Sequence, residues 1–129
     1  MVTLLLSAHT HFQVTCETSD GVEATEQARL LGPDVILMDI GLPNLNGLEA
    51  ARRIRASLPA AKIVFLTQET DSEIVQEAFN LGAAGYIFKQ RIRTDLLPAL
   101  TAILEGKRFV SEGFRDGQFV PRNVQGGAY

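Results

Sequence analysis

Two short runs constrain this chain more than anything else in it. "DVILMD" (34–39) and "KIVFLT" (62–67) carry only apolar side chains between their polar ends. A strand with one wet face alternates in polarity. A strand that is apolar at every position has to be covered on both faces, which is the condition of a strand inside a parallel sheet. Between the two runs lies "GLEAARRIRASLP" (47–59), with Leu48, Ala51, Ile54 and Leu58 on one helical stripe. Strand, helix and strand in this order form a crossover that sets the two strands parallel. Repeated along the chain, the pattern predicts an α/β fold, a parallel sheet with helices on both faces.

The remaining segments continue the alternation. "QVTCE" (13–17) alternates like a half-covered edge strand. "SDGVEATEQARLLGP" (19–33) is expected as a helix capped by Ser19 or Asp20 and stopped at Gly32-Pro33. "DSEIVQEAFNLG" (71–82) is expected as a helix begun by Thr70 or Asp71, with Ile74, Val75, Ala78 and Leu81 inward. A short strand "GYIFK" (85–89) follows, then a helix "TDLLPALTAILEG" (94–106). In that helix Leu97, Leu100, Ile103 and Leu104 are expected inward, and Pro98 falls in the first turn, where a missing N–H costs little. Beyond Ser111 the sequence becomes Gly-rich and aperiodic. The boundaries are therefore 1–111 for the domain and 112–129 for a flexible tail or the start of a linker.

Composition narrows the function. With 129 residues, 46% hydrophobic and 21% charged, the chain suits one soluble domain. No apolar run approaches the roughly 18 residues of a membrane span. A net charge of −3, with no basic patch interleaved with aromatics, argues against direct nucleic-acid binding. The lone Cys16 excludes an internal disulfide and fits a cytoplasmic protein, where it packs as a small hydrophobe. "HTH" (9–11) offers two imidazoles without a Cys or acid at ligand spacing, so turn residues are expected there.

In open α/β sheets the reactive groups collect at the carboxyl ends of the strands. Three apolar runs here end in a polar residue: Asp39, Thr67 and Lys89. Singly, each has a plain explanation as a loop cap, a strand end and a surface lysine. Together they suit a small anion. A carboxylate can attack phosphorus to give an acyl phosphate, a hydroxyl can hydrogen-bond a phosphoryl oxygen, and an ammonium can offset its charge. Gly41 is expected to let the following loop pass close by.

"DVILMDIGLPNLNGLEAARRIR", "KIVFLT" and "LGAAGYIFK" resemble the receiver domain of two-component response regulators, most closely the subfamily usually fused to a C-terminal helix-turn-helix. The resemblance covers about residues 4–111. It implies a flavodoxin-like sheet and a signalling module rather than an enzyme. Asp39 would accept a phosphoryl group from a histidine kinase, and Thr67 and Lys89 would contact it. Thr67 and Tyr86 would form the hydroxyl–aromatic switch. Asp39 and the backbone carbonyl of Gly41 would bind Mg²⁺. The face over 71–105 would carry the signal, and a homodimer would form through that face or through an exposed edge of strand 34–39. Any DNA-binding role would belong to sequence outside this chain.

One departure stands out. A complete receiver opens with a strand ending in two acids that hold the metal, and no such pair is present here. If "VTLLL" were that first strand, only residues 7–13 would join it to "VTCE", while a parallel crossover needs about a dozen. Residues 2–9 are therefore read as the end of a helix, with the first strand absent. Losing about five buried apolar side chains forfeits on the order of 10 kcal/mol, comparable to a domain's whole stability of about 5–15 kcal/mol. The gap should not stay open: 13–17 is expected to pair directly with 34–39, or a second chain or the tail to cover that edge. Glu17 and Asp20 are the acids nearest the relevant strand end. A fragment, a late start, or a degenerate receiver acting by protein contact alone would each have this sequence. An aspartyl phosphatase is the rival of another class. It wants a second Asp two residues after the first, where this chain has Gly41.

Overall fold

The computed structural model describes residues 1–8, 11–41, 46–68 and 72–111. Two compact units divide the chain, Met1–Phe65 and Leu66–Tyr129.

The first unit contains strand β1 (Val2–Ala8), strand β2 (His11–Thr18), helix α1 (Gly21–Leu31), strand β3 (Val35–Asp39), helix α2 (Gly47–Ser57) and most of strand β4 (Lys62–Thr67). Its strand order is β2-β1-β3-β4. The expectation of a helix over residues 2–9 is thereby corrected, because "VTLLL" is a strand. Residues 13–17 do not pair with 34–39, and no edge of 34–39 is left for a partner chain, since β1 lies on one side and β4 on the other. β1 runs antiparallel to both its neighbours: Val2 is opposite Thr18 and Met38, and Leu4 is opposite Cys16 and Ile36. The short spacing between the two strands forbids only a parallel pair; a hairpin closes the reverse arrangement in a few residues. Ala8 accordingly pairs with His11. No gap stays open beside β3, for Val2, Leu4 and Leu5 fill it and are buried.

Residues opposite one another in an antiparallel pair share a face. Val2, Leu4, Ile36 and Met38 therefore lie on one face, and all four are fully buried. α1 packs on β1 and β2 and against α2. Thr15 is the extra residue of a bulge, since Leu4 faces Cys16 while Leu5 already faces Val14. Its hydroxyl donates to the Leu4 carbonyl at 3.1 Å. Cys16 is half-buried. Asp20, rather than Ser19, caps α1 by accepting the Val22 N–H at 2.8 Å, and the helix stops at Gly32 with φ 59°.

Asp34 ties three strands together at the start of β3. Its N–H donates to the Leu5 carbonyl (2.9 Å), its carbonyl accepts the Lys62 N–H (3.0 Å), and its Oδ2 accepts the Ser7 N–H (2.7 Å). Because Asp34 and Lys62 open β3 and β4 side by side, those two strands run in the same direction. The sheet is mixed, with β1 its reversed member.

The second unit holds the end of β4, helix α3 (Ser72–Asn80), strand β5 (Gly85–Phe88), a 3₁₀ turn (Lys89–Arg91), helix α4 (Ile92–Leu104) and a two-residue strand β6 (Phe109–Val110) parallel to β5. Val75 and Ala78 of α3 are buried, while Ile74 and Leu81 are half-buried. The expected starting residues of α3, Thr70 and Asp71, lie outside the described residues. α4 begins two residues earlier than the sequence suggested, so Pro98 sits in its interior rather than its first turn. Leu97 and Leu104, expected inward, are 71% and 51% exposed. The buried side is Asp95, Ala99, Leu100 and Ile103. A polar residue on the inner stripe displaced it from the one that hydrophobicity alone selects.

Candidate functional site

Asp39 is the last residue of β3, and its side chain is 20% exposed, enough for solvent to reach the carboxylate. Gly41 and Met1 are among the residues that hold it. Its Oδ1 accepts the Gly41 N–H at 2.9 Å. Its own N–H donates to the Met1 carbonyl at 3.1 Å. The Met1 amino group lies 3.6 Å from Oδ2. Reversal of β1 puts Met1 here, because the start of an antiparallel strand lies beside the end of its neighbour.

Gly41 does bring its backbone close to Asp39, but the position that has no room for a side chain is Gly47. A Cβ on Gly41 would meet only Asp39 Oδ1, at an ordinary 3.8 Å. A Cβ on Gly47 would lie 2.4 Å from the Asp39 carbonyl oxygen and 2.7 Å from Ile40 Cα. The Gly47 N–H also donates to the Ile40 carbonyl at 2.8 Å. Asn46 caps α2 at the same point by accepting the Glu49 N–H at 2.9 Å. The start of α2 is thus pressed onto the backbone that carries Asp39. The signal in the sequence was Asn46-Gly47 at the head of the helix segment, an N-cap residue followed by a glycine.

Thr67 ends β4 and is buried at 2% exposure. Lys89 opens the 3₁₀ turn directly after β5 and is half-buried. Tyr86, in β5, is fully buried and stacks on Phe79, with ring centroids 5.8 Å apart and planes 19° from parallel. The Arg108 guanidinium lies 4.9 Å from the Phe79 ring centroid. Asp39, Gly41 and Gly47 belong to the first unit, and Thr67, Tyr86 and Lys89 to the second.

Among the described residues, no group of three or more His, Cys, Asp or Glu is placed to hold a metal ion. Asp20 is engaged as the cap of α1, and Glu17 is exposed on β2 opposite Thr3. β2 is two strands away from β3, about 9–10 Å at the usual interstrand spacing. Of "HTH", His9 and Thr10 lie outside the described residues, and His11 opens β2.

Residues 1–101 match the family model described as the response regulator receiver domain. The chain is 36% identical over 123 residues to the uncharacterized transcriptional regulatory protein YxjL of Bacillus subtilis, covering 88% of this chain and 56% of that one. It is 33% identical over 99 residues to the response regulator UvrY of Escherichia coli, covering 77% and 45%. It is similar in structure to a LuxR-family two-component response regulator from Aurantimonas sp. (TM-score 0.69, 38% identity, 74% of this chain and 68% of that one). The isolated receiver domain of RcsB from Salmonella enterica, with phosphomimetic BeF3⁻, gives a TM-score of 0.68 at 26% identity, covering 74% and 71%. The chain spans about half the length of the curated relatives it matches.

Proposed function

The chain belongs to the family of response regulator receiver domains, and on that premise we propose that Asp39 takes a phosphoryl group from a histidine kinase and thereby switches a protein-contact surface. The observation that carries this reading is the setting of Asp39: a solvent-reachable carboxylate at the end of an otherwise apolar buried strand, on backbone clamped by Gly47 and Met1. One carboxylate oxygen forms the P–O bond as the P–N bond of a phosphohistidine breaks. The imidazole leaves with the electron pair and takes up a proton. Thr67 and Lys89, at strand ends, would contact the phosphoryl group. The hydroxyl would donate to a phosphoryl oxygen and the ammonium would balance its charge. Tyr86 would be the aromatic half of the switch. The 71–105 face would meet the downstream partner or a second copy. The relatives' names include transcriptional regulators, so we propose that this receiver controls an output module of that kind.

Receiver domains generally bind Mg²⁺. The described donors do not fit that ion here: Mg²⁺ demands near-octahedral oxygen ligands, and among the described residues no group of three or more His, Cys, Asp or Glu is placed to hold one. That observation favours a second reading, a receiver that signals by protein contact without phosphorylation.

Incubation with acetyl phosphate, followed by intact-protein mass measurement, separates the readings. A single adduct of about 80 Da, lost in Asp39→Asn, supports the phosphoacceptor. Continued release of inorganic phosphate would make the protein a phosphatase. Absence of both, with Asp39 intact, would leave the contact-only module.

A further inference from the structure

Ser111 is fully buried at the end of β6 and engages three groups of its own unit. Its N–H donates to the Tyr86 carbonyl at 2.9 Å. Its Oγ accepts the Phe88 N–H at 3.2 Å and donates its proton to Asp95 Oδ2 at 2.6 Å. Asp95, 5% exposed on the inner side of α4, takes Arg91 in a two-pronged pair: Nε to Oδ2 at 3.0 Å and Nη2 to Oδ1 at 3.2 Å. The network thus grips Phe88 and Arg91, and Lys89 stands between them in the turn Lys89–Arg91.

A buried carboxylate is costly unless paired, and an apolar side chain would pack α4 against β5 more cheaply. What the carboxylate adds is direction. A hydroxyl that accepts from one backbone N–H and donates to one carboxylate oxygen fixes both ends of a turn in a way apolar packing cannot. We propose that Ser111 and Asp95 are positioning residues for Lys89, holding the Phe88 amide before it and the Arg91 side chain after it so that its ammonium is aimed before a phosphoryl group arrives. This rests on the reading that Lys89 contacts that group. It has a consequence for signalling: the chain leaves β6 through the same serine, so displacing the residues beyond Ser111 would loosen Lys89.

The test uses the full chain and two readouts. The first is amide hydrogen exchange at Phe88 and Lys89. The second is the rate of acetyl-phosphate labelling at Asp39. Ser111→Ala should speed exchange at both amides about tenfold, the equivalent of roughly 1.4 kcal/mol, leave β1 and α1 amides unchanged, and slow labelling by a similar factor. Ser111→Thr, which keeps the hydroxyl, should restore both. Asp95→Asn, equal in size, gives the same reading if the alanine variant does not fold. In a Lys89→Met background, Ser111→Ala should slow labelling no further. Unchanged exchange at Phe88 and Lys89, or equal slowing in both backgrounds, overturns the proposal. If the wild-type chain takes no phosphoryl group, the phosphoacceptor reading fails by itself, and exchange at the two amides alone decides for or against the latch.

Discussion

The backbone N–H of Asp39 donates to the carbonyl oxygen of Met1 at 3.1 Å, so the first residue of the chain lies beside the last residue of β3. β1 therefore brings its beginning to this rim and carries its end, Ala8, to the opposite one. β1 itself, Val2–Ala8, carries no acidic side chain. Weak metal affinity is the expected outcome. Titration with Mg²⁺, followed by calorimetry or by the Gly41 amide resonance, should give a dissociation constant weaker than about 1 mM. Binding tighter than about 0.1 mM would show that oxygens beyond Asp39 and Gly41 complete the site.

The reversed strand has to carry core weight. Leu4 is fully buried between Cys16 and Ile36, whereas Val14 on the edge strand is 53% exposed. Leu4→Ala should cost about 2–5 kcal/mol in urea unfolding, and Val14→Ala no more than about 0.5 kcal/mol. Comparable small losses at both positions would mean that residues 2–8 do not occupy the sheet interior.

The two glycines flanking the loop after Asp39 should differ sharply. Gly47→Ala has to move the Asp39–Ile40 backbone, because its Cβ would sit 2.4 Å from a carbonyl oxygen. A loss of about 1–3 kcal/mol, together with slowed labelling at Asp39, is expected. Gly41→Ala meets only an ordinary contact and should stay within about 0.5 kcal/mol. Equal effects at the two positions would contradict the crowding at the head of α2.

The role proposed for Lys89 is tested by labelling. Lys89→Met should slow acetyl-phosphate labelling at Asp39 at least tenfold, the equivalent of about 1.4 kcal/mol, while Lys89→Arg, which keeps the positive charge, should retain part of the rate. An unchanged rate in Lys89→Met would remove Lys89 from the proposed chemistry.

Much of this was legible in the chain itself. The apolar runs at 35–38 and 63–66 announce strands buried on both faces, and their terminal Asp39 and Thr67 stand at the ends of β3 and β4 as expected. Local signals marked the bounds of α1, because a cap and a left-handed glycine act on their immediate neighbours. The exposure of Leu97 was not legible. It depends on Asp95 turning inward to meet Arg91 and Ser111, one of them sixteen residues away. β6, at two residues, is too short to leave a periodic trace.

The sequence by itself determined which segments are apolar enough to be buried and where α1 begins and ends, since both depend on side chains within a turn or two of each other. Only the tertiary structure decided the direction of residues 2–8 and the crowding at Gly47. An apolar run reads the same whichever way it points along a sheet, and its direction is chosen by the partners it pairs with, here Thr18 and Met38 on either side of Val2. The space around a glycine is likewise set by backbone that arrives from elsewhere in the fold.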